Sequence, residues 1–320
     1  MTLAEPIKVP VPSRNPTDYL HLLVIYVVWA SGYLGMKLGM QGPGAFTAYQ
    51  LQGGRLVLGG GILLLIAWRR GVLRPLTPRE WLICGVSAFL FWICGNGFAL
   101  LAVRELPSGF VAMAMGTIPL WSGAFEAVRS RKAPAQPLAL VIGFVGLALI
   151  YLPTITNGSK LNPSAITVAM LFAAPIAWIL ATSLQPSLQR KLDGSAVAGT
   201  QLVLGGIMAS AIALAQGTPL PSPPSALTLA ALFYLAIFAS AISFQSYVRA
   251  TALFSPNVVA AFAYVNPPIG VLLGWLALGE EPVPVSMVGM AIVIASVMMT
   301  LRATLRPRPV KLDTIPREAL

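Results

Sequence analysis

Two consecutive prolines stand in the middle of an apolar stretch near the carboxyl end of the chain, AAFAYVNPPIGVLLG. Pro267 and Pro268 have no backbone N–H, so a helix through this stretch loses hydrogen bonds to the carbonyls around Phe262 to Tyr264. In a membrane, an unsatisfied carbonyl is tolerated only beside protein or a wet cavity. The sequence therefore predicts a broken helix, hinged at the prolines, and a cavity lined by Phe262, Tyr264 and Asn266.

An earlier stretch, PSGFVAMAMGTIPLW, has the same arrangement. Pro119 precedes Pro268 by 149 positions, and at the same offset Met115 and Thr117 match the aromatic and polar residues of the later stretch. We expect Pro119 to be a second hinge. We expect Met115 and Thr117 to face the same cavity.

The offset of 149 recurs in other apolar segments. It pairs Trp29 with Trp178, Gln52 with Gln201, Asn96 with Gln245 and Phe98 with Tyr247. Matches spread over four segments without a gap indicate an internal repeat. Trp29 and Trp178 lie away from most span ends and have polar neighbours, and Asn96 is itself polar. All three are predicted to line the cavity. The glutamines are predicted to tie helices together by hydrogen bonds.

A cation lies near the middle of the second apolar segment, LQGGRLVLGGG. Placing a charged side chain at that depth costs free energy, so one hypothesis is that Arg55 contacts the substrate or takes part in gating. The alternative is structural, because Gly53 and Gly54 let a neighbouring helix approach and offer its carbonyls. Lys37, within a turn of the end of the first helix, is expected to extend to the membrane surface.

The composition is that of an integral membrane protein. The 320 residues are 57% hydrophobic and 10% charged, with a mean hydropathy of +0.79, whereas soluble domains are roughly 45–50% apolar and 25% charged. Ten apolar windows of bilayer length divide into two five-helix repeats, residues 20–156 and 164–301, between tails at 1–19 and 302–320. The predicted fold is all-α, with ten transmembrane helices.

The distribution of the cations predicts the orientation. If the amino terminus is cytoplasmic, 17 of the 21 lysines and arginines lie on the inner side: Lys8, Arg14, Arg69, Arg70, Arg74, Arg79, Arg129, Arg131, Lys132, Arg190, Lys191, Arg249, Arg302, Arg306, Arg308, Lys311 and Arg317. This agrees with the positive-inside rule, so the net charge of +11 reflects topology and not nucleic-acid binding. Five helices per repeat invert the second half relative to the first. Inverted repeats with interrupted helices predict a midplane site and alternating access.

With these motifs the chain resembles the drug/metabolite transporter superfamily, and within it the EamA-type members. The resemblance covers about residues 20–301 and is carried by VVWASGYLGMKLG, LQGGRLVLGGG, ALLAVRELPSGFVAMAMGTIPLW and YVRATALFSPNVVAAFAYVNPPIGVLLGWLALGEEP. It implies a carrier in a bacterial inner membrane, often an exporter of amino acids or other small metabolites, with the substrate between the halves.

Residues for catalysis are scarce. His21 is the single histidine, and the acids lie outside the spans or near their ends, as Glu126 does. We therefore expect no enzyme activity, metal or cofactor. The predicted function is transport of amino acids, including aromatic or other apolar ones, by facilitated diffusion or exchange. Carriers of sugar phosphates or nucleosides, and a receptor or lipid-handling scaffold, remain alternatives. The predicted partners are a small-molecule substrate and the bilayer, and the oligomeric state is open.

Both termini are predicted to be cytoplasmic. A reporter that is active only in the periplasm should be silent when fused after Leu320 and active when inserted near Thr218. The reverse pattern would show that the orientation or the number of helices is wrong.

Overall fold

The computed structural model describes residues 15–131, 136–156, 162–221, 223–254, 258–259 and 262–305. These residues form ten apolar helices and no strand. The helices are α1 (Pro16–Gly39), α2 (Ala48–Arg69), α3 (Pro78–Glu105), α4 (Ser108–Ser130), α5 (Pro137–Ile155), α6 (Ala165–Gln189), α7 (Gly194–Ala215), α8 (Ala226–Leu253), α9 (Phe262–Leu278) and α10 (Pro284–Leu305). Eight are long and apolar enough to span a bilayer, and α9 and α10 contain shorter apolar stretches. Tyr264 lies in α9, but its side chain is outside the described part.

The helices begin at residues that satisfy the first backbone N–H groups. Thr47 starts α2 and Thr77 starts α3, each with a capping box completed three residues later by Gln50 and Glu80. Proline occupies the first turn of α1, α3 and α5, where no N–H is needed. The sequence thus fixes helix starts locally, and the long apolar runs continue each helix across the bilayer.

The α2 and α7 helices cross closely and in opposite directions. A Cβ on Gly60 would lie 2.8 Å from the Val203 amide nitrogen. One on Gly206 would lie 2.8 Å from that of Val57. Higher residue numbers in α2 thus contact lower residue numbers in α7, so the two helices are antiparallel and pack through small residues.

The α5 and α10 helices meet in the same way. A Cβ on Gly146 would lie 2.7 Å from the Gly289 carbonyl oxygen, and one on Gly289 would lie 2.6 Å from that of Gly146. By the 149-residue offset, α2 corresponds to α7 and α5 to α10, so each helix packs on its own counterpart in the opposite direction. The all-α membrane fold with inverted repeats is confirmed.

Three helices depart from regular α geometry near the middle of the molecule. Phe89–Gly95 in α3, named π1, and Leu235–Ile242 in α8, named π2, are π-helical. The α4 helix is interrupted at Gly116 and Thr117, immediately before Pro119. The interruption predicted at Pro119 is therefore present, and the two π segments occupy overlapping positions of the two repeats.

The break predicted at Pro267 and Pro268 was wrong, because α9 runs continuously through both prolines. In α4 a glycine and a threonine precede the proline, and the Thr117 hydroxyl donates to the Ala114 carbonyl (2.6 Å). The corresponding residues of α9 are Val265 and Asn266, which supply neither a glycine nor a hydroxyl. Membrane helices tolerate proline where neighbouring helices support them, and α9 packs closely on α1 and α4.

Replacing Gly60 by alanine should destabilise the protein, because the added methyl meets the α7 backbone, which cannot give way as a flexible side chain can. Overpacking of this kind costs about 1–3 kcal/mol. Gly61→Ala is the matched control, since a Cβ on the adjacent Gly61 meets nothing within 4 Å. Thermal unfolding in detergent should show a lower midpoint for Gly60→Ala alone. Equal midpoints would contradict the glycine crossing.

Candidate functional site

A small cavity lies between the two repeats at the level of the π segments. It leaves about 40 Å³ for the centres of water molecules. Both repeats contribute to its lining, which consists of Trp29, Gly32, Tyr33, Met36, Arg55, Trp92, Asn96, Met115, Ile118, Trp178, Ala239, Phe262 and Asn266. One cation, two tryptophans of equivalent position and an asparagine from each repeat therefore face one space.

Arg55 is the charged residue of this cavity, and its side chain is 1% exposed. Its Nε and Nη2 atoms donate to Gln52 Oε1 (3.0 and 2.7 Å), and Nη1 donates to Ser240 Oγ (3.1 Å). Nη2 also donates to Asn96 Oδ1. All these acceptors are neutral. Within the described part of the chain, Arg55 makes no ion pair.

The π segments hold the arginine in place. Gln52 Nε2 donates to the Trp92 carbonyl of π1 (2.7 Å), which fixes the amide whose oxygen receives Arg55. Ser240, the partner of Nη1, belongs to π2. The guanidinium carbon also lies 5.7 Å from the centre of the Trp92 ring. Arg55 therefore connects π1 of the first repeat with π2 of the second.

Two tryptophans at equivalent positions of the repeats form the aromatic wall. The rings of Trp29 and Trp178 are 5.4 Å apart, edge to face. Trp29 Nε1 donates to the Ala239 carbonyl of π2 (3.0 Å), and Trp178 packs on Phe91 of π1 at 4.6 Å. Each tryptophan thus contacts the π segment of the other repeat. Phe262 closes the wall, 5.5 Å from Trp29.

Two polar atoms of the cavity residues are buried and have no hydrogen-bond partner among the described residues. They are Trp92 Nε1, a donor, and Asn266 Oδ1, an acceptor. The Met115 carbonyl is a further acceptor that receives no hydrogen bond from the residue four positions on, because Pro119 has no N–H. A buried polar group without a partner costs about 1–3 kcal/mol, so a ligand that satisfies these atoms gains that much.

Most residues predicted for the site meet at this cavity. Arg55, Asn96, Met115, Trp29, Trp178, Phe262 and Asn266 all line it. Thr117 is not among the residues that line the cavity, and its buried hydroxyl donates to the Ala114 carbonyl of its own helix. Arg55 bonds neutral side chains, two of them from the neighbouring helices α3 and α8, and not the helix carbonyls that the structural hypothesis named.

Several residues of the cavity lie outside the predicted set. They are Trp92, Ile118, Tyr33 and Ala239, which line it, and Ser240, the hydroxyl acceptor of Arg55. The π segments leave no mark in the residue types, since FLFWICG and LAIFASAI contain neither proline nor an unusual charge. The 149-residue offset gives no signal at Trp92 either, because the matching position is Ala241 and not a second aromatic residue.

The glutamines form interhelical hydrogen bonds. Gln52 joins α2 to α3, and Gln201 Nε2 donates to Ser87 Oγ (2.7 Å), joining α7 to α3. Gln245 Nε2 donates to Ser195 Oγ (3.3 Å) and joins α8 to α7. These bonds agree with the role predicted for them.

A larger cavity adjoins the small one, and we call it the vestibule. It leaves about 270 Å³ for water centres. Its lining consists of Ile118, Ser122, Phe125, Glu126, Arg129, Ile179, Thr182, Ser183, Gln185, Pro186, Tyr247, Thr251, Val259 and Phe262. Ile118 and Phe262 line both cavities, so these two side chains separate the vestibule from the space beside Arg55.

An ion pair between the repeats lies next to Met36, a lining residue of the small cavity, and we call it the latch. Lys37 Nζ lies 3.5 Å from Glu280 Oε1 and donates to the Leu106 carbonyl (2.9 Å). The Glu280 carboxylate accepts from the Ser108 N–H and hydroxyl (both 2.8 Å) and from the Gly109 N–H (3.3 Å). Lys37, which is expected to extend to the membrane surface, thus pairs with a carboxylate of the α9–α10 connection.

Comparisons with known proteins agree with this architecture. A family model described as the EamA-like transporter family matches residues 18–152 and 165–302. The chain is 25% identical over 292 residues to the uncharacterized inner membrane transporter YedA of Escherichia coli K12, covering 89% of this chain and 91% of that protein. It is 28% identical over 295 residues to a probable terminal-alkyne amino-acid exporter of Streptantibioticus cattleyicolor, covering 90% and 94%. One crystal structure, 16% identical, superposes with a TM-score of 0.65 and covers 92% of this chain and 100% of that one, which shows a shared fold.

Proposed function

This chain belongs to the EamA-like transporter family, and we propose that it carries neutral zwitterionic amino acids, including aromatic and other apolar ones, across a bacterial inner membrane. The substrate binds between the repeats and leaves by alternating access. Transport is facilitated diffusion or exchange, in the direction of export. The similarity to an amino-acid exporter supports the substrate class, and the family match supports the fold and the type of function.

The buried charge of Arg55 carries the proposal. A cation at the membrane centre is costly unless it is compensated, and the described residues give it neutral acceptors alone. A guanidinium has five N–H donors. Gln52, Asn96 and Ser240 use four of them, which leaves one on Nη1. A substrate carboxylate would take this donor and displace a neutral acceptor, since charge-assisted bonds are the stronger ones.

The remaining groups suit the rest of an amino acid. Asn266 Oδ1 and the Met115 carbonyl are acceptors for an ammonium group. The faces of Trp29 and Phe262 attract a cation by about 0.5–2 kcal/mol, and they also offer apolar surface to a side chain. A donor for the carboxylate and acceptors for the ammonium thus face one space.

Other substrate classes fit less well. A sugar phosphate carries about two negative charges and would require a denser cationic cluster than one arginine. A receptor for apolar ligands would not need a buried cation. The enclosed, polar and aromatic cavity between the repeats therefore favours a carrier of zwitterions.

A second observation favours lipid handling as an alternative. An apolar groove opens between α5 and α6, lined by Phe144, Leu147, Ala148, Tyr151, Ala165, Val168, Ala169 and Phe172. It shares no residue with the Arg55 cavity, so it does not present a lipid headgroup to the charged site. Transfer of a fluorescent phospholipid between leaflets of liposomes containing the protein would support this alternative.

Arg55→Leu should strongly reduce uptake of carboxylated substrates, while the protein still inserts into the membrane. Hydrogen bonds to charged groups contribute about 1.5–3 kcal/mol, so substrate affinity should fall about 10- to 100-fold. Uptake of labelled amino acids into liposomes measures this. Normal transport by well-folded Arg55→Leu protein would show that the arginine is structural.

Asn96→Asp keeps Arg55 in place but neutralises its charge with an internal carboxylate, so this variant tests whether the uncompensated charge itself is needed. The aspartate keeps an acceptor for Nη2 and supplies the counter-ion that the substrate otherwise brings. The fold should be retained, and affinity for carboxylated substrates should again fall. Arg55→Lys is the second control, because it keeps the charge and loses the planar fork of donors.

Transport should not be driven by a pH gradient. Proton-coupled carriers rely on buried acids or histidines, and no Asp, Glu or His is among the described residues that line the small cavity. Glu126 in the vestibule is 60% exposed and pairs with Arg129. An imposed pH step alone should give no accumulation in liposomes, whereas a substrate gradient should give flux. Uphill accumulation with the pH step would refute facilitated diffusion.

A further inference from the structure

The two ends of the pathway to Arg55 are closed by different means. At one end, Ile118 and Phe262 separate the small cavity from the vestibule, whose Glu126 and Arg129 are 60% and 68% exposed. At the other end Met36 lines the cavity and is 3% exposed, and Lys37 of the latch is the next residue of the same helix. At the vestibule end, water therefore reaches as far as the side chains of Ile118 and Phe262. The other end is closed by the Lys37–Glu280 ion pair.

The latch joins elements that must separate if its end is to open. Lys37 lies in the last turn of α1, and Leu106 directly follows α3. Ser108 and Gly109 begin α4, and all four residues belong to the first repeat. Glu280 belongs to the second repeat, between α9 and α10. The Glu280 carboxylate also occupies the N-terminus of α4, where the helix dipole favours an anion. Opening this end therefore requires the ion pair and these hydrogen bonds to break together.

Space for Glu280 is provided by Gly274. A Cβ on this residue would collide with Glu280 Oε2 and would lie 2.9 Å from Ser108 Oγ. The Glu280 N–H donates to the Gly274 carbonyl (3.2 Å). The backbone and a glycine thus position the carboxylate, whose side chain is 12% exposed, against a lysine that is 17% exposed.

The latch has no counterpart in the repeat. At the 149-residue offset, Lys37 corresponds to Pro186 and Glu280 to Arg131. Pro186 lines the vestibule, so the position that closes one end of the pathway borders the opening at the other. An inverted repeat by itself makes the two ends equivalent, and this ion pair breaks the equivalence.

We propose that the Lys37–Glu280 ion pair is the gate at its end of the substrate pathway, and that it biases the substrate-free protein towards the conformation open at the vestibule. At the other end, the described residues show an ion pair between the repeats that is longer and more exposed, Arg70 with Asp193 at 4.0 Å and an arginine that is 57% exposed, so the latch is the stronger of the two closures. The gate is a separate claim from the substrate class, because opening can be measured with no substrate present.

The test uses a thiol at Met36 in a Cys84→Ala, Cys94→Ala background. A membrane-impermeant, positively charged methanethiosulfonate reagent is applied either to intact cells or to inverted vesicles. From the face that carries the latch, the Met36→Cys thiol should react slowly in the protein with Lys37 and Glu280. Adding Lys37→Met, or separately Glu280→Gln or Gly274→Ala, should raise the rate at least about tenfold, a shift of about 1.4 kcal/mol in the opening equilibrium.

Two controls make the result specific. Arg104→Met removes an exposed cation at the same end of the molecule and should leave the rate unchanged. A Ser122→Cys thiol in the vestibule should stay reactive from the opposite face in every variant, which shows that the protein is folded. An unchanged rate at the Met36→Cys thiol in the latch variants would overturn the proposal. An equal rise with Arg104→Met would overturn it as well, because the effect would then be general.

Discussion

The buried charge of Arg55 is the constraint on which the rest of the structure depends. A guanidinium near the membrane centre costs several kcal/mol unless its donors are satisfied. In a regular helix the backbone carbonyls are occupied by the helix's own hydrogen bonds, so the acceptors must come from side chains. The structure meets the requirement by placing Gln52 and Asn96 beside π1 and Ser240 in π2. These acceptors are neutral, so the charge is solvated and not cancelled, and it stays available to an anion.

The inverted repeat explains why the acceptors converge. Glycines let α2 lie against α7 and α5 against α10 in opposite directions, which brings the middle of each half to the same level. Trp29 and Trp178 show the symmetry directly, since each packs on the π segment of the other half. The charge breaks it: the position equivalent to Arg55 is Leu204. The cavity between two similar halves is therefore chemically asymmetric, with its single cation on the first repeat.

Features that depend on local residue types could be predicted from the sequence, and features that depend on tertiary contacts could not. Apolar runs gave the helices, the 149-residue offset gave the repeat, and Pro119 with Gly116 and Thr117 gave the interruption of α4. Pro267 and Pro268 misled, because packing against α1 and α4 keeps α9 continuous. The π segments are widened turns with i→i+5 backbone hydrogen bonds and have no side-chain signature, so the sequence does not indicate a role for Ser240. The partner of Lys37 lies 243 positions away along the chain, and only the tertiary fold brings the two together.

The central claim is that Arg55 receives the carboxylate of the substrate. Calorimetric titration of a matched pair, an aromatic amino acid and the amine left when its carboxylate is removed, tests it in a double cycle with Arg55→Leu. The account predicts that removing the carboxylate weakens binding at least about tenfold in the natural protein and less than about twofold in the Arg55→Leu variant. An equal loss in both proteins would contradict it, because the carboxylate would then be recognised elsewhere.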